Sequence, residues 1–197
     1  MADAAPALRL FFALWPDEAV RTGLLDLQRR LGQPPGARPV APENLHLTMA
    51  FLGMQPAALL PQIEAILQRV AVPEMTLEVD RYGCFARARI AWAGIRRPPP
   101  ALAVMHEELM AALRQSGIGH DRASTFRPHI TLLRNAVCDS GPVAESLIWR
   151  APPLALVHSA TTPGGPIYRV LAQRGPVRHP GGISHSCNHA ERDCDSG

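Results

Sequence analysis

A pattern of histidine, one apolar residue and threonine occurs twice in this chain, each time inside a run of residues with high β-propensity. The copies are His46–Thr48 and His129–Thr131, and of the eight histidines only these two have Ser or Thr two positions later. Residues i and i+2 of a strand share a face and lie about 7 Å apart, so each copy presents an imidazole beside a hydroxyl. The fold must therefore hold two strands whose polar pairs line an open face while their apolar residues stay buried.

The rest of the chain alternates between helix-like and strand-like periodicity. Apolar residues at steps of three and four predict helices near 17–31, 57–70 and 102–116. Strands are predicted for the runs 8–15, 45–52, 74–80, 89–95, 128–133, 154–159 and 167–173. Each half then contains a helix, a motif strand and further strands. This order predicts an α+β fold, a bilobal duplicated unit with antiparallel sheets flanked by helices around a central groove.

The proline run that follows Arg96-Arg97 breaks this pattern, and we place the boundary between the two lobes near 96–100. Both lobes belong to one predicted domain, 1–174. From 175 to 197 the chain loses periodicity, and we expect a disordered tail. The tail's metal-binding residue types match no zinc module in their spacing; they are His179, His185, Cys187, His189 and Cys194.

All 20 basic residues are arginine, and the chain contains no lysine. This composition excludes a P-loop lysine, a lysine Schiff base and a lysyl-nucleotide intermediate. A bound phosphate would be held by arginine, hydroxyl, imidazole or backbone N–H groups. The net charge of +3 is too small to indicate nucleic-acid binding by itself.

The chemistry expected from the two motifs is proton transfer. Strict alternation turns both polar pairs away from the apolar face of their strands, so the pairs can line one cleft. There the imidazoles could exchange protons near pH 7 and the hydroxyls could hydrogen-bond an anion. Two histidines are too few ligands for a metal. We therefore expect neither a metal nor a cofactor.

Longer stretches around the motifs resemble the two-histidine (2H) phosphoesterase superfamily, and within it the bacterial and archaeal RNA 2′,3′-cyclic phosphodiesterases, also called 2′-5′ RNA ligases. The stretches that carry this resemblance are 9–14, 42–53, 126–134 and 168–171, with Ser159 before the last. They come in the family's order and span residues 8 to about 173.

The resemblance implies an enzyme that opens 2′,3′-cyclic phosphate ends of RNA to 2′-phosphate ends. It implies that His46 donates a proton to the leaving 3′ oxygen and that His129 accepts one from water, although the residues alone do not decide which histidine does which. Thr48 and Thr131 would donate hydrogen bonds to the non-bridging oxygens. The reverse reaction would join 2′-5′ ends without ATP. The substrates would be RNA or oligonucleotide ends, with tRNA fragments among the candidates.

Five further residues are candidates for substrate binding: Arg127, Arg134, Phe12, Phe51 and Tyr168. Strict alternation puts Arg134 on the face opposite His129, so it reaches the cleft only if the strand ends or bulges after Leu133. Arg127 would flank the cleft entrance. Phe12 and Phe51 could stack on a base or pack in the core. Tyr168 could reach the cleft from the last strand.

Two other functions remain open at this point. The chain could hydrolyse another small cyclic phosphate, or it could bind nucleotides or RNA without catalysis. We expect a cytoplasmic monomer that does not enter a membrane. The start of the chain lacks a basic segment ahead of 10–14, no apolar run approaches the roughly 20 residues of a membrane span, and the cysteines form no disulfide framework.

Overall fold

The computed structural model describes residues 6–121, 125–163 and 165–176, where antiparallel strands form one sheet with helices on one face. The strands in these ranges are β1 (Ala7–Leu14), β2 (Arg38–Pro39), β3 (Leu47–Pro56), β4 (Thr76–Phe85), β5 (Ile90–Gly94), β6 (His129–Arg134), β7 (Gly141–Arg150), β8 (Leu154–Thr162) and β9 (Gly165–Arg174). The helices are α1 (Glu18–Arg30), α2 (Leu60–Arg69) and α3 (Pro100–Gln115). The tail expected to be disordered lies outside the described residues from 177 onward.

The order of strands across the sheet is β7-β4-β5-β6-β3-β1-β8-β9, with β2 paired to β6. A single register pair, Leu47 with Ile130, joins β3 to β6. The sheet therefore consists of two four-stranded halves, and each motif strand lies at the inner edge of its half. The half that contains β6 is built from 76–150, so the break near 96–100 falls inside it and does not separate the halves.

The three helices form where the apolar periodicity predicts them. Helix α1 begins after Asp17, whose Oδ1 accepts a hydrogen bond from the Val20 N–H at 2.9 Å, and it ends before Gly32 at φ 70°. Helix α3 ends in the same way before Gly117 at φ 65°. Their buried apolar residues join the main core on one side of the sheet, where each large side chain contributes about 1.5–3 kcal/mol by leaving water.

Bulges interrupt the alternation of both motif strands. In β6, Ala91 and Trp92 of β5 pair with Leu133 and Thr131, which leaves Leu132 as an extra residue. The pairing of β3 with β1 likewise skips Met49 and Leu52. A bulge shifts the following side chains to the other face of the strand. The strict alternation assumed from sequence is therefore wrong beyond each motif.

A buried glutamine of α1 holds the bulge of β6 in place. Gln28 Nε2 donates hydrogen bonds to the carbonyl oxygens of Leu132 at 2.8 Å and of Val40 at 3.0 Å. The Val40 N–H also donates to the Leu132 carbonyl, at 2.9 Å. The carbonyl of the extra residue thus accepts two hydrogen bonds, which stabilises the bulge against straightening.

Sequence reasoning missed strand β7 and the short β2. Strand β7 lies at the outer edge of the sheet, begins with Gly141-Pro142, and buries only Trp149 completely. Edge strands tolerate proline and need no clean alternation, so the segment carried no strand signal. In the described part of the chain no helix is both long and apolar enough to span a membrane.

Candidate active site

The two motifs meet at the joint between the halves of the sheet. Leu47 and Ile130, the middle residues of the two motifs, are register partners in antiparallel strands. Their side chains are buried in the main core. Antiparallel pairing about this point directs His46 toward Thr131 and Thr48 toward His129. The four polar side chains consequently lie on the face that the helices leave open.

A cavity of about 730 Å³, here called the His46 cavity, opens on this face. His46, Thr131 and Arg134 line it together with Asn44 and Tyr168. It also includes Arg38, Pro39, Val40, Ala41, Glu43, Thr162, Pro163, Gly165, Pro166 and Ile167. His46 belongs to the first motif and Thr131 to the second, so residues of both motifs line this cavity.

Backbone carbonyls fix the tautomer of both motif histidines. The Nδ1–H of His46 donates to the Asn44 carbonyl at 2.7 Å, and that of His129 donates to the Arg127 carbonyl at 2.7 Å, since a carbonyl can only accept. In each neutral ring Nε2 is then the acceptor. The Thr48 hydroxyl donates to Nε2 of His46 at 3.1 Å. Nε2 is therefore the atom of each ring available for proton exchange.

Aromatic rings surround His46. Trp15 stacks on the imidazole at 5.5 Å between ring centres and 7° between planes. Tyr168 approaches it edge-on at 5.3 Å, and Phe11 lies tilted at 4.9 Å. With Phe51, these rings belong to a small second core on the open face of the sheet. This packing holds the imidazole in one orientation and excludes water from one side of it.

A smaller hollow of about 300 Å³ lies beside His129, and we call it the His129 pocket. Its lining is Arg81, Phe85, Trp92, Phe126, Arg127, Pro128 and His129. Phe85 contacts the His129 ring edge-to-face at 4.9 Å. The two histidines thus adjoin different hollows, a large one at His46 and a small aromatic one at His129.

Burial lowers the pKa of both histidines. The His46 pKa falls from 6.5 to about 4 because the ring is desolvated; the Asn44 carbonyl opposes the shift, and the positive charges of Arg134 and His129 add to it. Desolvation also lowers the pKa of His129, and the hydrogen bond to the Arg127 carbonyl partly opposes this shift. Both imidazoles are therefore neutral at pH 7 in the ligand-free protein.

The bulge at Leu132 brings Arg134 to the cleft. Arg134 lines the His46 cavity on the same side as Thr131. Strict alternation would have put Arg134 on the opposite face of the strand, so the bulge accounts for its position. Arg38 of β2 pairs with Arg134 in register and lines the cavity as well. Arg127 lies at the His129 pocket rather than in the larger cavity.

The structure divides the three aromatic candidates. Tyr168 lines the His46 cavity, as expected of a residue within reach of the cleft. Phe51 lies on the His46 side because of the bulge at Met49, and it stacks on Phe11 at 5.7 Å. The prediction that Phe12 binds substrate is wrong. Phe12 is completely buried in the main core under the helices, so it cannot stack on a ligand in the cleft.

Sequence reasoning missed three aromatic residues that lie beside the motif histidines but belong to other parts of the sheet. Trp15 follows β1, and Phe85 and Trp92 belong to β4 and β5. An isolated aromatic residue is usually part of a core, and only the strand order shows that these three adjoin the motifs. The order of the sheet was the missing information.

Among the described residues, no group of three or more His, Cys, Asp and Glu side chains has the geometry of a metal site. Cys84 and Cys138, far apart in sequence, are neighbours in the structure and are free thiols. Burial, with the adjacent Cys84, raises the pKa of the Cys138 thiol. The cysteines of the tail lie outside the described residues.

Comparison with known proteins identifies the family. The model of a family described as LigT-like phosphoesterase matches residues 14–92. The RNA 2′,3′-cyclic phosphodiesterase of Escherichia coli (strain K12) is 37% identical over 128 residues, which are 65% of this chain and 72% of that protein. The RNA 2′,3′-cyclic phosphodiesterase of Thermus thermophilus is 34% identical over 178 residues, 83% of this chain and 88% of that protein. The chain belongs to the LigT-like phosphoesterase family.

Solved structures agree with this assignment. The crystal structure of E. coli LigT complexed with 3′-AMP matches with a TM-score of 0.79 and 30% identity, covering 88% of this chain and 100% of the LigT chain. The predicted resemblance and the predicted antiparallel α+β fold are confirmed. The family match at 14–92 includes the first motif and ends before the second. In this LigT-like phosphoesterase the pairing of β3 with β6 sets the second motif beside the first.

Proposed function

We propose that this chain is an RNA 2′,3′-cyclic phosphodiesterase that converts cyclic phosphate ends to 2′-phosphate ends. The observation that carries the proposal is the register pair Leu47–Ile130, which sets two histidines and two threonines on one open face of the sheet. Relatives at 34% and 37% identity carry this activity in their names. Substrates are RNA or oligonucleotide ends, including tRNA fragments, and we propose that the protein acts as a cytoplasmic monomer.

The proposed chemistry is an in-line displacement with two proton transfers. Water attacks phosphorus and gives its proton to Nε2 of neutral His129. The bond from phosphorus to O3′ breaks on the opposite side, and protonated His46 gives its proton to the departing oxygen. The product carries a 2′-phosphate, and the histidine pair has exchanged protonation states. The step needs only side chains and water.

The pKa order and the family resemblance favour opposite assignments of acid and base. In the free protein His46, with its pKa of about 4, is hard to protonate, whereas the proposal makes it the acid. Burial disfavours its imidazolium by roughly 3 kcal/mol. A phosphodiester anion about 4 Å away contributes about 4 kcal/mol of attraction near a protein surface, which offsets that cost. The stacked Trp15 ring also favours a cation at His46.

Three further side chains are proposed to hold the phosphate. Thr48 and Thr131 would donate hydrogen bonds to the non-bridging oxygens, where negative charge increases in the transition state. Arg134 supplies the cation at the same cavity. Tyr168 is proposed to flank the bound nucleotide, with Phe51 behind it in the second core. Arg127 is proposed to meet the RNA at the side of His129.

The decisive assay offers the purified protein two substrates side by side, 2′,3′-cyclic AMP and a short oligonucleotide ending in a cyclic phosphate. Phosphorus NMR identifies the product isomer. We expect a 2′-phosphate, with the oligonucleotide preferred. The His46→Ala/His129→Ala double variant, purified in parallel, reports any contaminating activity.

Other outcomes would replace the proposal. Turnover of the mononucleotide alone would favour a hydrolase of small cyclic phosphates. Binding without turnover would leave a nucleotide- or RNA-binding module. Turnover that EDTA abolishes and one divalent metal restores would contradict the metal-free chemistry.

A further inference from the structure

The His129 pocket is lined by side chains suited to a nucleoside. Phe85, Trp92 and Phe126 contribute aromatic rings, and Arg81 and Arg127 contribute positive charge. The Arg81 guanidinium lies over the Trp92 indole and Phe126 stacks on His106. None of the lining residues in the described part of the chain is acidic. Aromatic faces stack with any base, and arginine pairs with the phosphate that joins neighbouring nucleotides. At about 300 Å³ the pocket reaches the lower end of the range for small-molecule sites.

The stacking surface is built into the sheet. The Trp92 ring lies across two glycines: a Cβ on Gly83 would come within 2.6 Å of Trp92 Cζ2, and one on Gly94 within 2.8 Å of Cζ3. Any side chain at either position would displace the ring. Arg81 lies over the indole at 5.4 Å, and Phe85 packs beside it at 5.5 Å. The pocket is therefore formed before a ligand arrives.

The place of this pocket relative to the reaction determines what it can hold. In an in-line displacement the attacking and leaving oxygens lie on opposite sides of phosphorus. The proposed base, His129, marks the attacking side, and the leaving ribose lies toward His46 and its larger cavity. Hydrolysis needs only a water molecule on the attacking side, and one water occupies about 30 Å³ in the liquid. A preformed aromatic pocket roughly ten times that size fits an attacking molecule much larger than water.

We infer that the His129 pocket binds the nucleoside that presents an attacking 5′-hydroxyl, and that Arg81 and Trp92 set how often this hydroxyl replaces water. The inference rests on the proposed function. The 5′-hydroxyl oxygen bonds to phosphorus and its proton passes to His129. The bond to O3′ breaks and O3′ takes a proton from His46, leaving a 2′-5′ phosphodiester. One ester bond is exchanged for another, so the step needs no nucleotide triphosphate.

The test measures how one enzyme divides its substrate between two products. A cyclic-phosphate-ended oligonucleotide is incubated with an excess of a second oligonucleotide bearing a 5′-hydroxyl, and the ratio of joined to hydrolysed product is read on a gel. Because both products come from the same active molecules, the ratio does not depend on the folded fraction. We expect Arg81→Ala and Trp92→Leu to lower the ratio about tenfold or more, as loss of a base-stacking contact should.

A charge-matched control separates the pocket from general electrostatics. Arg87 is exposed on the turn between β4 and β5 and does not line the pocket, so Arg87→Ala should leave the ratio unchanged. Methanol as acceptor should give the same ratio with wild type and both pocket variants, since methanol has no base to stack.

Two results would overturn the inference while the proposed function stands. One is hydrolysis by wild type without any joined product. The other is an unchanged ratio in both pocket variants; if their KM for the cyclic end is also raised, the substrate's own terminal base occupies the pocket. If wild type does not hydrolyse the cyclic end at all, the proposed function itself fails.

Discussion

Around His46 three aromatic rings lie within 5.5 Å of the imidazole centre, and a cavity of about 730 Å³ opens beside it. Around His129 the described residues provide one such ring, Phe85, and the adjoining pocket measures about 300 Å³. Both histidines donate Nδ1–H to the carbonyl two residues earlier. Nε2 of His46 also accepts from the hydroxyl of its own motif, Thr48.

The same histidine–threonine pattern in two strands therefore supplies equal chemistry but unequal surroundings. The hydrogen bond that orients each ring runs to a carbonyl only two residues earlier, so it forms in both motifs. The desolvation, the aromatic neighbours and the size of the cavity come from other strands, so they differ. In the proposed reaction the orientation of the bound substrate decides which imidazole meets water and which meets the leaving oxygen, and the unequal surroundings favour one orientation.

The largest expected effect is loss of either motif histidine. His46→Ala and His129→Ala should each lower turnover of a cyclic-phosphate end by about 10² to 10⁴, as removal of a general acid or base does. The double variant should lose much less than the product of the two. His120→Ala is the matched control, because His120 Nδ1 also bonds the carbonyl two residues earlier, at 2.8 Å, yet the ring lines neither hollow. A normal rate in either single variant would contradict the paired mechanism.

The next effect separates the roles of the two rings. A nitrophenyl phosphodiester has a leaving group that needs no proton. On this substrate the loss of rate caused by His46→Ala should be smaller than the loss caused by His129→Ala, by a factor on the order of 10². Greater recovery by the His129 variant would reverse the assignment of acid and base, in agreement with the pKa order of the free protein.

Removal of either threonine should cost less, about tenfold in kcat/KM for Thr48→Ala and for Thr131→Ala, since each deletes one hydrogen bond to a charged phosphate. Thr48→Ser and Thr131→Ser should recover most of the rate because they keep the hydroxyl. If serine fails where threonine works, the methyl group and not the hydroxyl is what the site needs.

The smallest effect is a displacement of the pH profile. Because burial lowers both imidazole pKa values, protonation of either ring requires acid, and kcat/KM should be greatest between about 4 and 6.5. The profile of kcat should reach higher pH, since bound phosphate favours the imidazolium. NMR titration of the free protein checks the order directly: His46 should titrate near 4. Titration of His46 near 6.5 would contradict the desolvation assigned to its ring.

Sequence reasoning located the motifs, the helices and most strands because these depend on local periodicity. It could not place Arg134 or Phe51, since the faces of both residues depend on bulges that the neighbouring strands impose. It grouped Phe12 with Phe51 as candidates for base stacking, because only the order of the strands shows that the two rings lie on opposite faces of the sheet. The roles assigned to the site residues stay predictions.

The joint between β3 and β6 has a mechanical consequence. Along the sheet this junction is held by one register pair, while its neighbours are held by several. The weakest seam of the sheet therefore runs between the two histidines. A ligand that contacts both rings acts as a clamp across that seam. Its binding free energy is added to the stability of the folded protein, at the place where neighbouring strands share the fewest backbone pairs.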